Sequence, residues 1–199
     1  MNSNYLYEYA NLLERIFSVM NEYGYYPKMV EKKISYSPFF QAIERKDNSS
    51  IIDEDTLIKE IFDNQSINAM NVPEYNQCLW AAESFIRIQL ATKLTFEAIF
   101  LYISIEQMIN YFPIFHEMDF SHIIDEFNRL YHNQSVLSVL LNKYQYSLED
   151  LASKTNIPYA TLFSYKHRKR DIKNMPSKKA FDLSNYLRVR IETLLELQL

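Results

Sequence analysis

The sequence predicts an all-α fold, and two observations carry that prediction. Gly24 is the only glycine among 199 residues, and tight hairpin turns depend on glycine because it reaches positive φ without steric cost. Apolar residues also recur at helical spacing along most of the chain. The same scarcity of glycine excludes the glycine-rich phosphate loops of dinucleotide-binding proteins, P-loop NTPases and kinases. With 48% apolar and 23% charged residues, the composition is that of a folded globular protein.

The first helices are placed by apolar spacing and by their start and stop signals. Gly24 suits the left-handed residue that ends a helix, and Pro27 prevents continuation. We expect residues 25–37 to be irregular, and Ser37 and Pro38 to open the next helix as its cap and first residue. The predicted helices in this part of the chain cover residues 5–23, 38–45 and 52–62, with a polar break at residues 46–50.

The middle of the chain is predicted to hold further helices after a linker at residues 64–72. Thr95 is the expected cap of one helix, and Ser104 with Gln107 matches a capping box that opens the next. Pro113 is expected to end that helix. The predicted helices begin at Pro73, cover residues 95–102, run from Ser104 to the residue before Pro113, and cover residues 120–131.

Charge divides the chain into two predicted modules. Residues 1–133 carry a formal net charge of −9, and residues 134–199 carry +5. An acidic helical module suits a ligand, a protein partner or dimerisation, whereas a basic module suits a polyanion such as nucleic acid. We place the boundary near residues 132–134.

Two short helices joined by a tight turn are predicted in the basic module, after a helix over residues 135–144. Ser147 caps the first of them, and two acidic residues follow in its first turn, where the helix dipole favours them. The turn spans residues 155–157, and Pro158 opens the second helix. Such a pair, followed by basic residues, has the spacing of a helix-turn-helix.

The strongest motif in the chain lies between residues 146 and 195, in the runs SLEDLASKTNIPYATLFSYKHRKRDIKNM and PSKKAFDLSNYLRVRIETLL. These runs resemble the helix-turn-helix domains of the Cro and phage-repressor (XRE) family, which implies a five-helix domain over residues 135–199. The matching positions are Leu151, Ala152, Ile157, Thr161, Leu162, Tyr165, Lys169 and Arg170. Asn156, Arg168 and Arg188 stand where that family commonly has glycine. Either the second helix of the pair runs on past Arg168 or the loop differs.

The resemblance implies that the second helix of the pair enters the major groove of double-stranded DNA. Tyr159 and Ser164 would hydrogen-bond base edges there, and Ala160 would pack on a thymine methyl group. Phe163 on the same face is either a wedge against the bases or a contact with the N-terminal module. The residues expected at phosphates lie at a helix N-terminus or in and after the reading helix: Ser147, Lys166, His167, Lys169, Arg170 and Lys173.

The sequence contains no constellation typical of catalysis, so neither an enzyme nor a cofactor is expected. His116, Glu117, Asp119 and His122 do not have the spacing of a zinc-binding helix, and ordinary polar caps are the better interpretation. Cys78 lies beside apolar residues and is expected to be a buried structural thiol.

The chain is expected to be cytoplasmic and without membrane contact. One cysteine cannot form an internal disulfide, and no basic segment of a secretory signal precedes Arg15. The most apolar stretch, residues 96–115, contains charged and amide side chains that disfavour a bilayer span.

Two functional hypotheses follow. The first is a sequence-specific DNA-binding regulator of transcription, a repressor that binds as a homodimer and whose N-terminal module senses a ligand or binds a protein. The second is an antitoxin or anti-CRISPR-like protein whose N-terminal module binds a protein target and whose helix-turn-helix regulates its own gene.

Overall fold

The computed structural model describes residues 3–46, 53–62 and 74–199, and the regular structure in these ranges is entirely helical. The predicted all-α class is therefore confirmed. The thirteen α-helices of these ranges are Ser3–Glu22 (α1), Pro27–Tyr36 (α2), Pro38–Glu44 (α3), Glu54–Ile61 (α4), Tyr75–Thr92 (α5), Phe96–Tyr102 (α6), Ile105–Phe115 (α7), Ser121–Asn133 (α8), Val136–Tyr144 (α9), Leu148–Thr155 (α10), Tyr159–Lys166 (α11), Ser177–Leu187 (α12) and Ile191–Leu194 (α13). A short 3-10 helix, Ile172–Asn174, lies between α11 and α12.

Most predicted helices of the first half are confirmed, with small shifts of their ends. Gly24 follows α1 with a φ of 69°, the left-handed conformation expected of it. The carboxylate of Asp53 caps α4 by accepting a first-turn N–H at 3.0 Å. The predicted linker at residues 64–72 lies outside the described residues, as do Pro73 and residues 47–50 of the predicted polar break.

The prediction that residues 25–37 are irregular is wrong, because α2 occupies most of them. Pro27 stands in the first turn, where its missing N–H costs no helical hydrogen bond. Val30 and Ile34, one turn apart, are fully buried, and α2 packs against α6 and α7. Only these two apolar positions of α2 are buried, and the charged residues between them make the periodic signal weak, so burial against distant helices decides this element.

The prediction that the helix opened by Ser104 ends before Pro113 is also wrong. α7 continues to Phe115 with Pro113 inside it. Pro113 is exposed and removes one hydrogen bond of the ladder, but the N–H of His116 still bonds the carbonyl of Phe112 at 3.0 Å. The helix therefore tolerates the proline in its last turn.

Helices α1–α8 enclose one apolar core that is centred on the long pair α1 and α5. Phe17 of α1 meets Phe85 of α5 edge to face, with ring centroids 5.9 Å apart. Phe100 continues the contact to Phe85 at 5.0 Å, and Phe96 joins it to Phe40 at 5.5 Å. Much of the unusual phenylalanine content therefore lies in this interior.

Helices α9–α13 enclose a second core, built from residues between Val136 and Leu194. The predicted helix over residues 135–144 is confirmed as α9, and Ser135 caps it by accepting the N–H of Ser138 at 3.1 Å. α10 packs against both α11 and α12, and α11 packs against α9.

The three positions where glycine would be expected by resemblance all adopt the left-handed conformation. The φ angles are 52° at Asn156, 52° at Arg168 and 55° at Arg188. α11 accordingly ends at Lys166 and does not run on past Arg168, so the loop keeps a glycine-like turn without glycine. A left-handed residue with a β-carbon costs about 1–2 kcal/mol, and asparagine bears that cost best.

A buried ion pair joins the two sets of helices. Arg190, just before α13, places Nη1 2.8 Å from Oε2 of Glu44 in α3, and both side chains are buried. The Glu44 carboxylate also accepts the N–H of Phe96 at 2.7 Å. Close by, the hydroxyls of Thr95 and Thr193 are 2.7 Å apart. These polar contacts hold α13 against α3 and α6.

A second buried glutamate, Glu196, holds the other side of the same junction. It accepts the N–H of Val136 at 3.0 Å and the hydroxyl of Tyr131 at 3.0 Å. The Arg168 guanidinium lies 3.4 Å from the same carboxylate and donates to the carbonyl of Tyr131 at 2.8 Å and of Gln134 at 3.0 Å. Arg168, which follows α11, thereby connects the end of that helix to the end of α8 through hydrogen bonds.

In the part of the chain that the structure describes, no single helix is both long and apolar enough to cross a bilayer. Helices α6 and α7 reach that length and composition only as a pair, which is bent by 67° at the break between them.

Candidate nucleic-acid interface

The pair α10 and α11 is shaped by local signals at both of its turns. Ser147 caps α10, since its hydroxyl accepts the N–H of Asp150 at 3.0 Å and donates to the Asp150 carboxylate at 2.7 Å. Asn156 then turns the chain in the left-handed conformation. Ile157 is buried between the helices, and Pro158 is the N-cap of α11. The connection between the two helices is three residues long.

The two faces of α11 differ in burial. Leu162 and Tyr165 are buried in the C-terminal core, whereas Tyr159 and Ala160 are exposed. Ser164 is half-buried, and its hydroxyl donates to the Ala160 carbonyl at 2.8 Å. Because that hydrogen bond uses the proton of the hydroxyl, Ser164 is left to act as an acceptor toward an outside donor.

An aromatic stripe, defined by Tyr159, Phe163 and His167, runs along the outward side of α11. The rings of Tyr159 and Phe163 are stacked with centroids 6.2 Å apart, and those of Phe163 and His167 are 4.3 Å apart. The Lys169 ammonium lies 5.2 Å from the centre of the Phe163 ring. Phe163 is half-buried against the C-terminal core, so its contacts do not support the alternative that it docks on the N-terminal helices.

The predicted phosphate-binding residues form a group at the C-terminal end of α11, with one exception. His167, Lys169, Arg170 and Lys173 are exposed. They make no ion pair with any residue that the structure describes, so the charges of Lys169, Arg170 and Lys173 are available to an outside anion. Lys166 is half-buried in the last turn of the helix. Ser147 is the exception, because its hydroxyl is already used in the cap of α10.

Sequence reasoning missed the role of Arg168. The sequence identifies this position only as one where glycine is common. In the structure its guanidinium donates to three carbonyls at the end of α8 and lies 5.1 Å from the centre of the Tyr131 ring. Arg168 is therefore a structural cation, unlike its neighbours Lys169 and Arg170. The pattern of the sequence carries no signal for this role, because the partners lie more than thirty positions away.

The residues weighed as possible metal or nucleophilic sites have ordinary surroundings. His116 places Nδ1 2.8 Å from the Phe112 carbonyl and Nε2 3.7 Å from Glu117. Within the described ranges, no three His, Cys, Asp or Glu side chains are grouped as metal ligands. Cys78 is buried as predicted, and burial raises the pKa of its thiol above the usual value, which lowers its reactivity.

Comparisons with protein-family models, with curated proteins and with solved structures find no match to this chain.

Proposed function

We propose that the chain is a sequence-specific regulator of transcription that binds double-stranded DNA, acts as a repressor, and does so as a homodimer. The observation that carries the proposal is the pair α10 and α11, with a left-handed connector, an outward face on α11 and unpaired cations directly after it. The resemblance of residues 135–199 to XRE domains points to the same activity.

In this proposal α11 lies in the major groove. Its outward residues contact the bases, and the cations after it contact the sugar-phosphate backbone. The Tyr159 hydroxyl and the acceptor lone pairs of Ser164 meet base edges, and Ala160 meets a thymine methyl group. Lys169 and Arg170, exposed beyond the helix, meet the sugar-phosphate backbone. The N-terminus of α10 at Ser147 presents backbone N–H groups to a phosphate.

The N-terminal helices serve a different purpose in this proposal. Residues 1–133 carry a net charge of −9, which DNA repels, so α1–α8 supply the contact to a second copy or to a regulatory partner. Small helix-turn-helix units gain useful affinity by pairing on two half-sites about one helical turn apart. The junction at Glu44, Arg190 and Glu196 fixes α11 relative to α1–α8 in each copy. It therefore sets how the two α11 helices of the homodimer are oriented.

Selection of bound fragments from a random double-stranded library, using the full chain, tests the proposal. We expect enrichment of an inverted repeat, protected as two half-sites in footprinting. A library that shows no sequence enrichment after repeated rounds would contradict sequence-specific binding. Protection of one non-palindromic half-site at saturation would contradict the homodimer.

One observation favours the second candidate, a protein-neutralising factor of the antitoxin or anti-CRISPR kind. Tyr7, Tyr23, Tyr26 and Tyr75 are exposed on the acidic N-terminal helices, and tyrosine is enriched at protein interfaces. Such a surface suits a target with a basic binding face. Co-purification from the native host distinguishes the two candidates, because only the second requires a stoichiometric protein partner bound through α1–α8.

A further inference from the structure

A cleft of about 430 Å³ separates α2 from the C-terminal helices. Lys28, Lys32 and Tyr36 form one wall, and their spacing of four residues places them on one face of α2. Tyr144, at the end of α9, and Arg188, after α12, belong to the opposite wall. The volume lies in the range of small-molecule sites, and the cleft is built from both sets of helices.

Four cationic side chains line this cleft, namely Lys28, Lys32, Lys143 and Arg188. Three of them, Lys28, Lys32 and Arg188, form no ion pair within 4.0 Å and no side-chain hydrogen bond with a residue in the described ranges. Concentrated cations of this kind are unexpected in this part of the molecule, because residues 1–133 carry a net charge of −9. The cleft therefore attracts anions although most of its surroundings repel them.

The two carboxylates of the cleft are already engaged by the protein. Glu31 is buried, accepts the N–H of Ile105 at 2.9 Å and lies 3.9 Å from the Lys143 ammonium. Glu97 accepts the N–H of Arg190 at 2.8 Å and the hydroxyl of Tyr36 at 3.1 Å. Glu31 and Glu97 therefore offset part of the cationic charge, and Glu31 acts on Lys28 as well as on Lys143. Four cations still face only two carboxylates in the cleft, so its lining keeps an excess of positive charge.

Aromatic and apolar side chains complete the cleft. The rings of Tyr144 and Tyr146 lie 6.1 Å apart, and Tyr144 is 45% exposed. Phe100, Leu101 and Val189 add apolar surface between the walls. A planar ring can stack on the tyrosines while an attached anion reaches the cations, because base–aromatic stacking needs only an exposed π face.

We propose that the cleft binds a phosphorylated nucleoside. Arg188 offers the planar donor set that suits a phosphate, and Lys28 and Lys32 add point charges from the facing wall. The tyrosines contact the base. A ligand held between the two walls links α2 to the C-terminal helices, so it favours the arrangement in which these helices are docked. Its effect on DNA binding depends on the proposed function, whereas the binding itself does not.

Isothermal titration calorimetry with the full chain, in the absence of DNA, tests the site. The probes are AMP, GMP, CMP, UMP and inorganic pyrophosphate, each at millimolar concentration. We expect at least one nucleotide to bind with one-to-one stoichiometry. The double variant Lys32→Gln with Arg188→Gln should bind it about tenfold more weakly or worse, because it removes two charge-assisted hydrogen bonds to the phosphate.

A matched control removes the same charge elsewhere. Lys59→Gln with Lys178→Gln changes two lysines that do not line the cleft, and it should bind the nucleotide as the parent does. Circular dichroism establishes that both double variants fold. The proposal is overturned if none of the nucleotides binds, if the two double variants bind equally, or if pyrophosphate binds as tightly as the nucleotide. None of these outcomes bears on whether α11 binds DNA.

Discussion

Left-handed residues with a β-carbon recur at the turns of this chain, because it has one glycine. Besides Asn156, Arg168 and Arg188, the φ angles are 61° at Lys93 and 57° at Gln145. Each position ends or follows a helix in the place where glycine is usual. Conformational strain is therefore present at several of its turns.

Replacement of Gln145 by glycine should stabilise the protein. Its φ of 57° is the left-handed C-cap of α9, and removing the β-carbon relieves about 1–2 kcal/mol of strain. The greater freedom of glycine in the unfolded chain offsets part of that gain. We expect a net increase of about 0.5–1 kcal/mol in the free energy of unfolding, measured by urea denaturation.

The control for this prediction is Gln145→Ala. Alanine also loses the hydrogen bond from the Gln145 side chain to the Asn142 carbonyl, but it keeps the β-carbon. An equal gain in both variants would mean that backbone strain is not the cause.

Burial at a single carboxyl group makes stability depend on pH. Desolvation raises the pKa of Glu31 above its usual value, and it outweighs the bond from Ile105 and the charge of Lys143. The folded state therefore binds more protons than the unfolded state near and above pH 4.5, and stability falls as pH rises through this window.

Denaturation of the parent and of Glu31→Gln at several pH values between about 4.5 and 7 measures this effect. The parent should gain stability relative to the variant as the pH falls, because only the parent takes up the proton on folding. Parallel curves for the two proteins would show that Glu31 does not titrate in this range.

At the scale of the element, the residues proposed to contact bases and those proposed to contact phosphates lie on adjoining surfaces of α11 and the turn that follows it. Tyr159 and Ser164 face outward from the helix itself, whereas Lys169 and Arg170 follow it. The N–H groups of Lys169 and Arg170 both bond the Ser164 carbonyl, at 2.8 and 3.2 Å, so the chain closes over the end of the helix. The two kinds of residue can be separated by mutation.

Replacement of Lys169 and Arg170 by alanine should weaken binding to all DNA alike. The logarithmic salt dependence should flatten by about 0.9 for each phosphate that the variant no longer neutralises. Gel-shift titrations at several salt concentrations, on selected and random DNA, measure both effects. Lys59→Ala on α4 is the charge control, and an equal loss of affinity in that variant would point to net charge alone.

Replacement of Tyr159 or Ser164 by alanine should instead weaken the free energy of binding by about 1–3 kcal/mol, and only on the selected DNA site. Binding to random DNA and the salt slope should stay nearly as in the parent. If either variant binds selected and random DNA as the parent does, α11 is not the reading element.

At the scale of the whole molecule, the two sets of helices meet through buried charge. Desolvation raises the pKa of Glu44 in spite of its contact with Arg190. One nitrogen of Arg190, Nη2, is buried without a hydrogen-bond partner among the described residues. The burial of both partners makes the junction sensitive to the loss of either one.

Replacing one partner of this ion pair should destabilise the fold more than replacing both partners. Arg190→Met leaves the Glu44 carboxylate buried without its counter-charge, and we expect a loss of about 3–5 kcal/mol in the free energy of unfolding. The double variant Arg190→Met with Glu44→Gln should recover part of that loss. A double-mutant cycle by urea denaturation measures the coupling, and additive losses would contradict an energetic pair.

The sequence by itself determined the features whose causes lie within one helical turn. The all-α class follows from apolar spacing and the lack of glycine, and the predicted caps at Thr95, Ser104 and Ser147 are each made to a residue three positions on. Ser37 occupies its predicted N-cap position, but its hydroxyl makes no cap hydrogen bond. The two faces of α11 follow from the same periodicity.

Only the tertiary structure decided α2, the role of Arg168 and the cleft beside α2. α2 is stabilised by burial against α6 and α7, and its own sequence has only two strongly buried apolar positions. The Arg168 guanidinium bonds residues 34 to 37 positions away, and Arg190 bonds Glu44 across 146 positions. Partners at that separation leave no trace in local periodicity, because they are brought together only when the whole chain packs.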